Sequence, residues 1–139
     1  IRNHGTQGHT DTLTGLRNQY GFFDDLNGWI KRKAGAYVII VGISKFSEIN
    51  EVYGYHFGNR VLQLFARKVF ETTSNSGTCY RIDGTKFAII SNTVSSDEVM
   101  GRYNEFRNYF REVFQVDDKR ILLVFIYTIR SSQNITKLT

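Results

Sequence analysis

The segment at residues 80–90, which reads YRIDGTKFAII, constrains the fold of this chain more than any other part of the sequence. Two short runs rich in apolar residues flank the polar group Asp83-Gly84-Thr85-Lys86, which is the pattern of a strand, a tight turn and a second strand. Glycine adopts positive φ without steric cost, so we expect Gly84 to supply a positive φ in this turn, which Asp83 tolerates. The chain is therefore predicted to build a sheet around an antiparallel hairpin.

Length and composition indicate one globular domain. The chain has 139 residues, of which 41% are hydrophobic and 22% charged, so it can bury a core without disulfides. Its single cysteine, Cys79, falls in a predicted strand, and we expect a buried structural thiol. No stretch approaches the roughly 20 apolar residues that cross a bilayer, and we find no signal peptide. We predict a cytoplasmic domain cut from a longer protein, since the chain opens without an initiator Met.

The formal net charge of +5 raises the question of a nucleic-acid partner. The basic residues are scattered, however, and the densest group, at residues 31–33, ends a predicted helix, where cations complement the helix dipole. There is no helix-turn-helix pattern, no zinc-ligand spacing and no alternation of aromatic and basic residues. We therefore predict neither nucleic-acid binding nor a metal site. The three histidines are expected to be solvent-exposed: His4, His9 and His56.

The order of the predicted elements is typical of a two-layer α+β domain. Residues 1–10 are polar and read as a linker or tag remnant. Hydrophobic periodicity then predicts helices at 19–33, 44–52, 58–73 and 95–114, and strands at 36–41, 78–82, 86–91 and 120–130. We expect Gly35 to cap the first helix and Ser44 to begin the second. One apolar face is expected on the last helix: Met100, Tyr103, Phe106, Tyr109, Phe110 and Phe114. After the leading helix, the order is the βαββαβ pattern of a ferredoxin-like fold, an antiparallel sheet with helices on one face.

Four separated segments resemble the GGDEF family of diguanylate cyclases, in the family's order. Residues 11–18, DTLTGLRN, look like the opening D-x-LTGL-x-N of that family, and residues 80–87 resemble its YR-x-GGDEF hairpin through Gly84 and Phe87. Residues 125–129 match its closing strand weakly. The stretch D-I-D-x-F-K-x-I-N-D-x-[YF]-G-H-x-x-G-D-x-x-L is matched at Ile43, Phe46, Ile49, Asn50, Tyr53, Gly54, Gly58 and Leu62. The resemblance implies a palm of the nucleotide-cyclase type. We expect residues 11–139 to form a degenerate GGDEF domain that lacks the family's C-terminal helix.

The resemblance also implies a two-metal reaction, for which this chain lacks the ligands. Carboxylates at the end of the family's first strand and on its hairpin hold two Mg²⁺ ions, which need charged oxygen ligands. The matching positions here are Gly42, Ser44, Thr85 and Lys86, none of them acidic. Asp83 stands at the first-glycine position, where a carboxylate would repel phosphate. We therefore expect no bound metal and no cyclase activity, with Mg²⁺ as a cofactor only if the chain is active after all.

The resemblance marks a set of candidate nucleotide-binding residues: Phe46, Asn50, Asn59, Asp83, Gly84 and Lys86. Asn50 matches an asparagine that contacts guanine, although a helix-capping or loop role would also fit it. Asn59 replaces an aspartate that accepts from two guanine N–H groups, so guanine recognition should be weakened. Lys86 could replace a metal ion as a counter-charge for phosphate, or could be a solvated hairpin-tip lysine. The family's inhibitory R-x-x-D motif is absent from residues 74–77, so feedback binding of cyclic di-GMP is not expected there.

The leading hypothesis is an inactive GGDEF domain that serves as a regulatory, GTP-sensing or dimerisation module of a larger cyclic di-GMP signalling protein. Its predicted partners are GTP, neighbouring domains of the same polypeptide (an EAL phosphodiesterase domain among them) and a second copy in a homodimer. Two alternatives remain open. One is an active but divergent cyclase that makes cyclic di-GMP from two GTP. The other is a protein-interaction scaffold with no ligand.

Overall fold

A four-stranded antiparallel sheet forms the middle of the structure. The computed structural model describes residues 8–32, 35–92, 95–111 and 114–131. The sheet has the strand order β2-β3-β1-β6. Its strands are β1 (Tyr37–Ser44), β2 (Gly77–Arg81), β3 (Lys86–Ser91) and β6 (Val124–Ser131), while β4 (Phe114–Val116) and β5 (Lys119–Ile121) form a separate small hairpin. The central strand β1 pairs with β3 on one side and with β6 on the other.

Four helices cover the two faces of this sheet: α1 (Gln19–Lys31), α2 (Phe46–Tyr53), α3 (Tyr55–Thr73) and α4 (Ser96–Arg111). Side chains of α3 and α4 share one core cluster with β1 and β3, whereas α1 shares a different cluster with the opposite face of the same strands. The predicted ferredoxin-like α+β architecture is confirmed, and the leading helix covers the face that the βαββαβ unit leaves open.

The larger core is organised around Phe65 of α3, which is completely buried. Its ring centroid lies 5.2 Å from that of Phe87 in β3, 5.5 Å from Phe106 and 5.0 Å from Phe110, both in α4. Tilted and edge-to-face arrangements at these distances are the favoured geometries of aromatic pairs. Phe65 therefore joins the sheet to two helices at once.

The smaller core lies between α1 and the other face of the sheet. Phe22 of α1 packs edge-to-face on Tyr80 of β2, with 5.2 Å between the ring centroids. The Tyr80 hydroxyl donates to Asp25 Oδ2 at 2.7 Å, and Asp25 also accepts from Arg17 at 3.0 and 3.2 Å. Burial and the Asp25 carboxylate raise the pKa of Tyr80, which therefore remains a neutral donor. Since Val38 belongs to this core and Val41 to the other, β1 is covered on both faces. Its continuous apolar sequence predicted a strand covered on at least one face.

In the first half of the chain, three predicted helix boundaries or caps are wrong. Ser44 does not cap α2, because β1 extends through Ser44 to pair with Val124 of β6. The N-cap is Lys45, whose φ of 60° turns the chain sharply from strand into helix. At the end of α1 the C-cap is Arg32, three residues before the predicted Gly35. Helix α3 begins at Tyr55, earlier than the predicted residue 58, because the positive φ of 90° at Gly54 makes the break between the two helices.

The last part of the chain also differs from the prediction. Helix α4 ends at Arg111, and Phe114 lies in β4 instead of on the helix. The residue that makes this possible is Asp117, whose φ of 53° closes the small hairpin of β4 and β5. The predicted strand at 120–130 is therefore divided between β5 and β6. Of the predicted apolar face of α4, Met100 and Tyr109 are 41% and 48% exposed.

Cys79 is buried, as predicted, with 5% of its surface exposed. Burial raises the pKa of its thiol to about 11, and the hydrogen bond with the Thr73 hydroxyl at 2.6 Å opposes this shift only in part. The thiol is therefore protonated at neutral pH, which fits a structural role. Among the described residues, no helix has the length and the apolar composition that crossing a membrane requires.

Replacing Phe65 by alanine tests the position of the core. We expect Phe65→Ala to lower the free energy of unfolding by about 3–5 kcal/mol, because it removes a fully buried ring and leaves a cavity. The matched control is Phe70→Ala on the same helix, since Phe70 is 53% exposed and its loss should cost less than about 1 kcal/mol. Urea unfolding of both variants measures the difference, and equal losses would contradict this description of the core.

Candidate functional site

The pairing of β1 with β3 brings together residues that the sequence comparison singled out separately. Gly42 lies directly opposite Lys86, and on its other side it pairs with Ile126 of β6. The Ile43 N–H donates to the Thr85 carbonyl at 3.0 Å, which holds the hairpin tip against the end of β1. Ser44 is two residues beyond Gly42 in β1, so its side chain lies on the same face of the sheet. All four predicted metal-site positions therefore lie at one end of the sheet.

The side chain of Lys86 lies across the space beside Gly42. A Cβ built on Gly42 would stand 3.8 Å from Lys86 Cγ, which is ordinary van der Waals contact. Lys86 is exposed, so its ammonium group reaches solvent while its stem follows the glycine backbone. A positive charge thus stands at the end of the two central strands, where the family resemblance had implied a carboxylate and a metal ion.

The residues at these four positions do not fit a magnesium ion. Mg²⁺ requires near-octahedral oxygen coordination, with carboxylates supplying the charge. Gly42 offers no side chain, Ser44 and Thr85 are neutral, and the Lys86 ammonium repels a cation. No group of three or more His, Cys, Asp or Glu residues that could hold a metal occurs in the part of the chain that the structure describes.

The acids closest in sequence to these positions are directed to other partners or to solvent. Asp83 is exposed at the hairpin tip, where its Oδ1 accepts from the Gly84 N–H at 2.7 Å. Glu48 and Glu51 are exposed on α2. Of the histidines, His56 is exposed, His9 Nε2 lies 2.8 Å from Asp24 Oδ2, within hydrogen-bond distance, and His4 lies outside the described residues.

The tip of the hairpin is held by an arginine and not by a positive φ at Gly84. Gly84 is absent from the described residues with positive φ, so this prediction is wrong. Its carbonyl accepts from Arg81 Nη2 at 2.9 Å and from Nε at 3.2 Å. The guanidinium therefore closes the turn from the side, and the turn does not need a left-handed residue at this position.

Arg81 also ties the hairpin to the segment that begins the domain. Its Nη1 donates to both oxygens of Asp11 at 3.2 Å, and Asp11 Oδ2 accepts from the Thr14 N–H at 2.9 Å and hydroxyl at 2.7 Å. Burial alone would raise the pKa of Asp11, but these hydrogen bonds from Thr14 and Arg81 lower it below its ordinary value of 3.8. This link was not predicted from the sequence. Its signal was the acid in DTLTGLRN and the arginine in YRIDG, which are separated by 70 residues.

A second part of the site lies between α2 and α3, around Asn50. This residue is inside α2 and does not cap it, so the capping and loop alternatives are wrong. Its Oδ1 is buried and has no hydrogen-bond partner among the described residues. The same atom faces Gly58 of α3 so closely that a Cβ at position 58 would overlap it, and Phe46 Cζ would stand 3.2 Å from that Cβ. Asn50 Oδ1 and the Phe46 ring therefore both lie against the helix backbone at Gly58.

Two further features surround this point. Asn59 follows Gly58 as the fifth residue of α3, with its side chain exposed. The start of α2 has no side-chain cap, and the N–H groups of Phe46 and Ser47 make no hydrogen bond within the described ranges. Uncapped N–H groups at a helix N-terminus attract anions. Of the predicted nucleotide-binding residues, the structure brings Phe46 and Asn50 together, and places Asp83, Gly84 and Lys86 on the hairpin.

Comparison with known proteins assigns a family to most of the chain. The family described as "Diguanylate cyclase, GGDEF domain" matches residues 8–134. The chain is 30% identical to the diguanylate cyclase VdcA of Vibrio cholerae over 81 residues, which cover 58% of this chain and 24% of that protein. It is 27% identical to diguanylate cyclase A of Treponema denticola over 120 residues, covering 81% of this chain and 32% of that protein. The chain thus spans less than a third of the length of these relatives.

Solved structures share the fold at low sequence identity. A diguanylate cyclase/phosphodiesterase from Caldicellulosiruptor saccharolyticus superposes with a TM-score of 0.83 and 17% identity, covering 96% of this chain and 83% of that one. The GGDEF domain of FimX from Pseudomonas aeruginosa has a TM-score of 0.83 at 11% identity, covering 94% of this chain and 88% of that one. At these identities the likeness concerns the fold alone.

The link between Asp11 and Arg81 predicts a pH-dependent contribution to stability. Because folding lowers the pKa of Asp11, its charged form stabilises the fold above pH 3.8, and this contribution is lost as the pH falls below that value. We expect Asp11→Asn to lower the free energy of unfolding by about 1–3 kcal/mol at pH 7. In urea titrations at pH 3, the difference in free energy of unfolding between Asp11→Asn and the unmodified chain should be smaller than at pH 7. Asp118→Asn, at a side chain that is 85% exposed, is the control and should have little effect at either pH. If Asp11→Asn lowered the free energy of unfolding by the same amount at both pH values, the charged Asp11 carboxylate would not be the source of the stability.

The contact between Gly58 and Asn50 predicts different effects of alanine in two helices. Alanine is favoured over glycine in a helix by about 1 kcal/mol. At Gly101 in α4, where no described atom lies within 4 Å of the added Cβ, we expect Gly101→Ala to stabilise the chain by about that amount. Gly58→Ala should gain less or lose stability, because the new Cβ displaces Asn50 Oδ1. Thermal unfolding compares the two variants, and an equal gain in both would contradict the contact.

Proposed function

Because this chain belongs to the GGDEF family of diguanylate cyclase domains, we propose that it is a catalytically inactive member that binds a GTP-like nucleotide without a metal. The chain is a diguanylate cyclase-like domain of cyclic di-GMP signalling. In our proposal its former catalytic site senses the nucleotide and transmits its presence to the rest of a larger protein.

The single observation that carries the proposal is the position of Lys86 beside Gly42. Two magnesium ions would bring four positive charges and would lower the pKa of a coordinated hydroxyl, which is what nucleotidyl transfer requires. One ammonium group brings a single charge and can donate three hydrogen bonds, but it cannot act as a Lewis acid. Lys86 is therefore suited to binding phosphate oxygens and not to activating the attacking hydroxyl. This chemistry supports a site that binds and does not react.

The triphosphate has further candidate partners close to the end of β1. Ser44 ends that strand, Lys45 turns the chain, and the free N–H groups of Phe46 and Ser47 begin α2. A helix N-terminus stabilises negative charge, and cationic side chains add to the effect. We propose that these N–H groups and the Lys86 ammonium share the phosphates, while Asn50 receives the base.

The route by which binding could be sensed starts at the hairpin tip. Arg81 holds the Gly84 carbonyl with one side of its guanidinium and Asp11 with the other. A ligand that shifts the tip would therefore change the environment of the segment at residues 11–14. We propose that this link conveys nucleotide binding to neighbouring domains of the same cytoplasmic polypeptide, an EAL domain among the candidates, or across a homodimer.

Two alternatives remain candidates for the function. The names of the relatives, which are diguanylate cyclases, favour an active but divergent cyclase. In that alternative the chain would use Mg²⁺ to make cyclic di-GMP from two GTP. A scaffold without a ligand is the other. Incubation of the chain with GTP and Mg²⁺, followed by chromatography, separates the first from our proposal, because we expect no cyclic di-GMP. The absence of any bound nucleotide would favour the scaffold.

Calorimetry with GTP in the presence of EDTA tests the proposal directly. We expect binding that does not depend on Mg²⁺ and that weakens about tenfold in Lys86→Ala, because the phosphates lose their counter-charge. The matched control is Lys31→Ala, which removes an exposed lysine from the far end of α1 and should not change the affinity. Binding that appears only with Mg²⁺, or an unchanged affinity in Lys86→Ala, would contradict the proposal.

A further inference from the structure

We propose that a second surface of this domain, the arginine cleft, docks a partner whose chemistry is an acidic peptide segment with apolar side chains. The arginine cleft lies between α3 and the loop at residues 13–17, has a volume of about 820 Å³ and is open to solvent. It is separate from the nucleotide site, because Gly58 faces Asn50 whereas Arg60 lies about 200° further around α3. The proposal therefore goes beyond the proposed function and does not depend on it.

The shape of the cleft is set by one face of α3. Its residues on that helix recur mostly at spacings of three or four, so they share one side of it: Arg60, Gln63, Leu64, Arg67, Phe70 and Ser74. This row extends roughly 20 Å along the helix axis. Gln63 Nε2 donates to the Leu13 carbonyl at 3.2 Å, which holds the loop against the helix and keeps the cleft formed. A long, open cleft suits a peptide segment better than a compact ligand.

The charge of the cleft has one sign. The described residues that line it include three arginines and no aspartate or glutamate. Arg67 is exposed and has no ion pair or hydrogen bond within the part of the chain that the structure describes. Arg60 Nη2 lies 3.3 Å from Asp117 Oδ1, but these side chains are 41% and 48% exposed, and surface pairs of this kind contribute little. Because Asp25 already binds Arg17, two guanidinium groups remain for the carboxylates of a partner.

Apolar surface beside the arginines narrows the chemistry of the partner. The Phe70 side chain is 53% exposed, and Leu13 and Leu64 are half-buried. Aromatic residues and arginines are enriched where proteins bind one another, because the first bury apolar area and the second pair with carboxylates. A small polar anion would leave the apolar surface in water. The partner therefore carries both carboxylates and apolar side chains.

The far end of the cleft reaches Ser74 and Gly77, two of the positions at which this chain lacks the R-x-x-D motif of the family. Neither residue offers the guanidinium or the carboxylate with which that motif anchors cyclic di-GMP. The charged groups of the cleft lie instead on α3, at Arg60 and Arg67. The occupant is therefore assigned from these two arginines and from the apolar surface.

Fluorescence anisotropy with labelled peptides tests the chemistry of the occupant. The probe is a peptide in which glutamate and leucine alternate, with a length of roughly eight residues, since extended chain of that length covers the row on α3. We expect the unmodified chain to bind it. A peptide with glutamine in place of each glutamate should bind about tenfold more weakly, because the guanidinium groups lose their charged acceptors. Serine in place of each leucine should weaken binding about threefold.

Variants of the chain locate the binding. Arg67→Gln should weaken binding of the acidic peptide about fivefold. The matched control is Arg107→Gln, which removes the same charge from an exposed position of α4 and should leave the affinity unchanged. Asp117→Asn should strengthen binding about twofold, because it releases Arg60 for the peptide. Asparagine also tolerates the φ of 53° at this position, so the small hairpin is kept.

Each other outcome overturns the proposal. A failure of the acidic peptide to bind, equal affinities for the glutamate and glutamine peptides, or an equal loss in Arg67→Gln and Arg107→Gln would each do so. Displacement of the peptide by inorganic pyrophosphate or by cyclic di-GMP at lower concentration than by unlabelled peptide would show that the cleft takes a small anion instead. A failure of GTP to bind in EDTA would contradict the proposed function alone, because no peptide measurement involves a nucleotide.

Discussion

The antiparallel pairing of β1 with β3 is the constraint on which the candidate site depends, because it fixes Gly42 and Lys86 opposite each other. The same pairing presents the apolar face of β1 to Phe65 and its aromatic neighbours. A shift of the register by one residue would turn the core side chains to the other face, so the core and the site depend on one alignment. Glycine and lysine at this pair are compatible with the fold. Lys86 gives this end of the sheet a positive charge.

The two halves of the site differ in how they are built. On the hairpin, polar groups are paired: Arg81 joins Asp11 to the Gly84 carbonyl, and Asp83 accepts from the next N–H. Between α2 and α3, Asn50 Oδ1 is buried without a partner in the described part of the chain. Leaving an acceptor unpaired costs stability, whereas the paired hairpin contributes it. The unpaired acceptor lies against the bare backbone of Gly58.

The sequence predicted much of this arrangement and missed the parts that depend on distant residues. The apolar run that became β1 predicted a strand buried on at least one face, and the YRIDGTKFAII segment predicted the hairpin, because both signals are local. Ser44 was assigned to a helix cap because its pairing with Val124 of β6 is 80 residues away in the sequence. The hairpin of β4 and β5 was missed because Phe114 continued the apolar spacing of the last helix, so the turn at residues 117–119 was interpreted as leading from that helix into a strand. In the same way, the environment of Asn50 depends on the absence of a side chain at Gly58, which spacing alone does not reveal.

In our proposal, Lys86 occupies the position of the metal ions in a site that binds nucleotide. The most direct measurement is a crystal structure of the chain grown with Mn²⁺ and a non-hydrolysable GTP analogue, with anomalous data collected to locate manganese. We expect a phosphate oxygen about 3 Å from Lys86 Nζ and no anomalous peak beside Gly42. A pair of manganese peaks between Gly42 and the hairpin, with Lys86 turned away, would contradict the account.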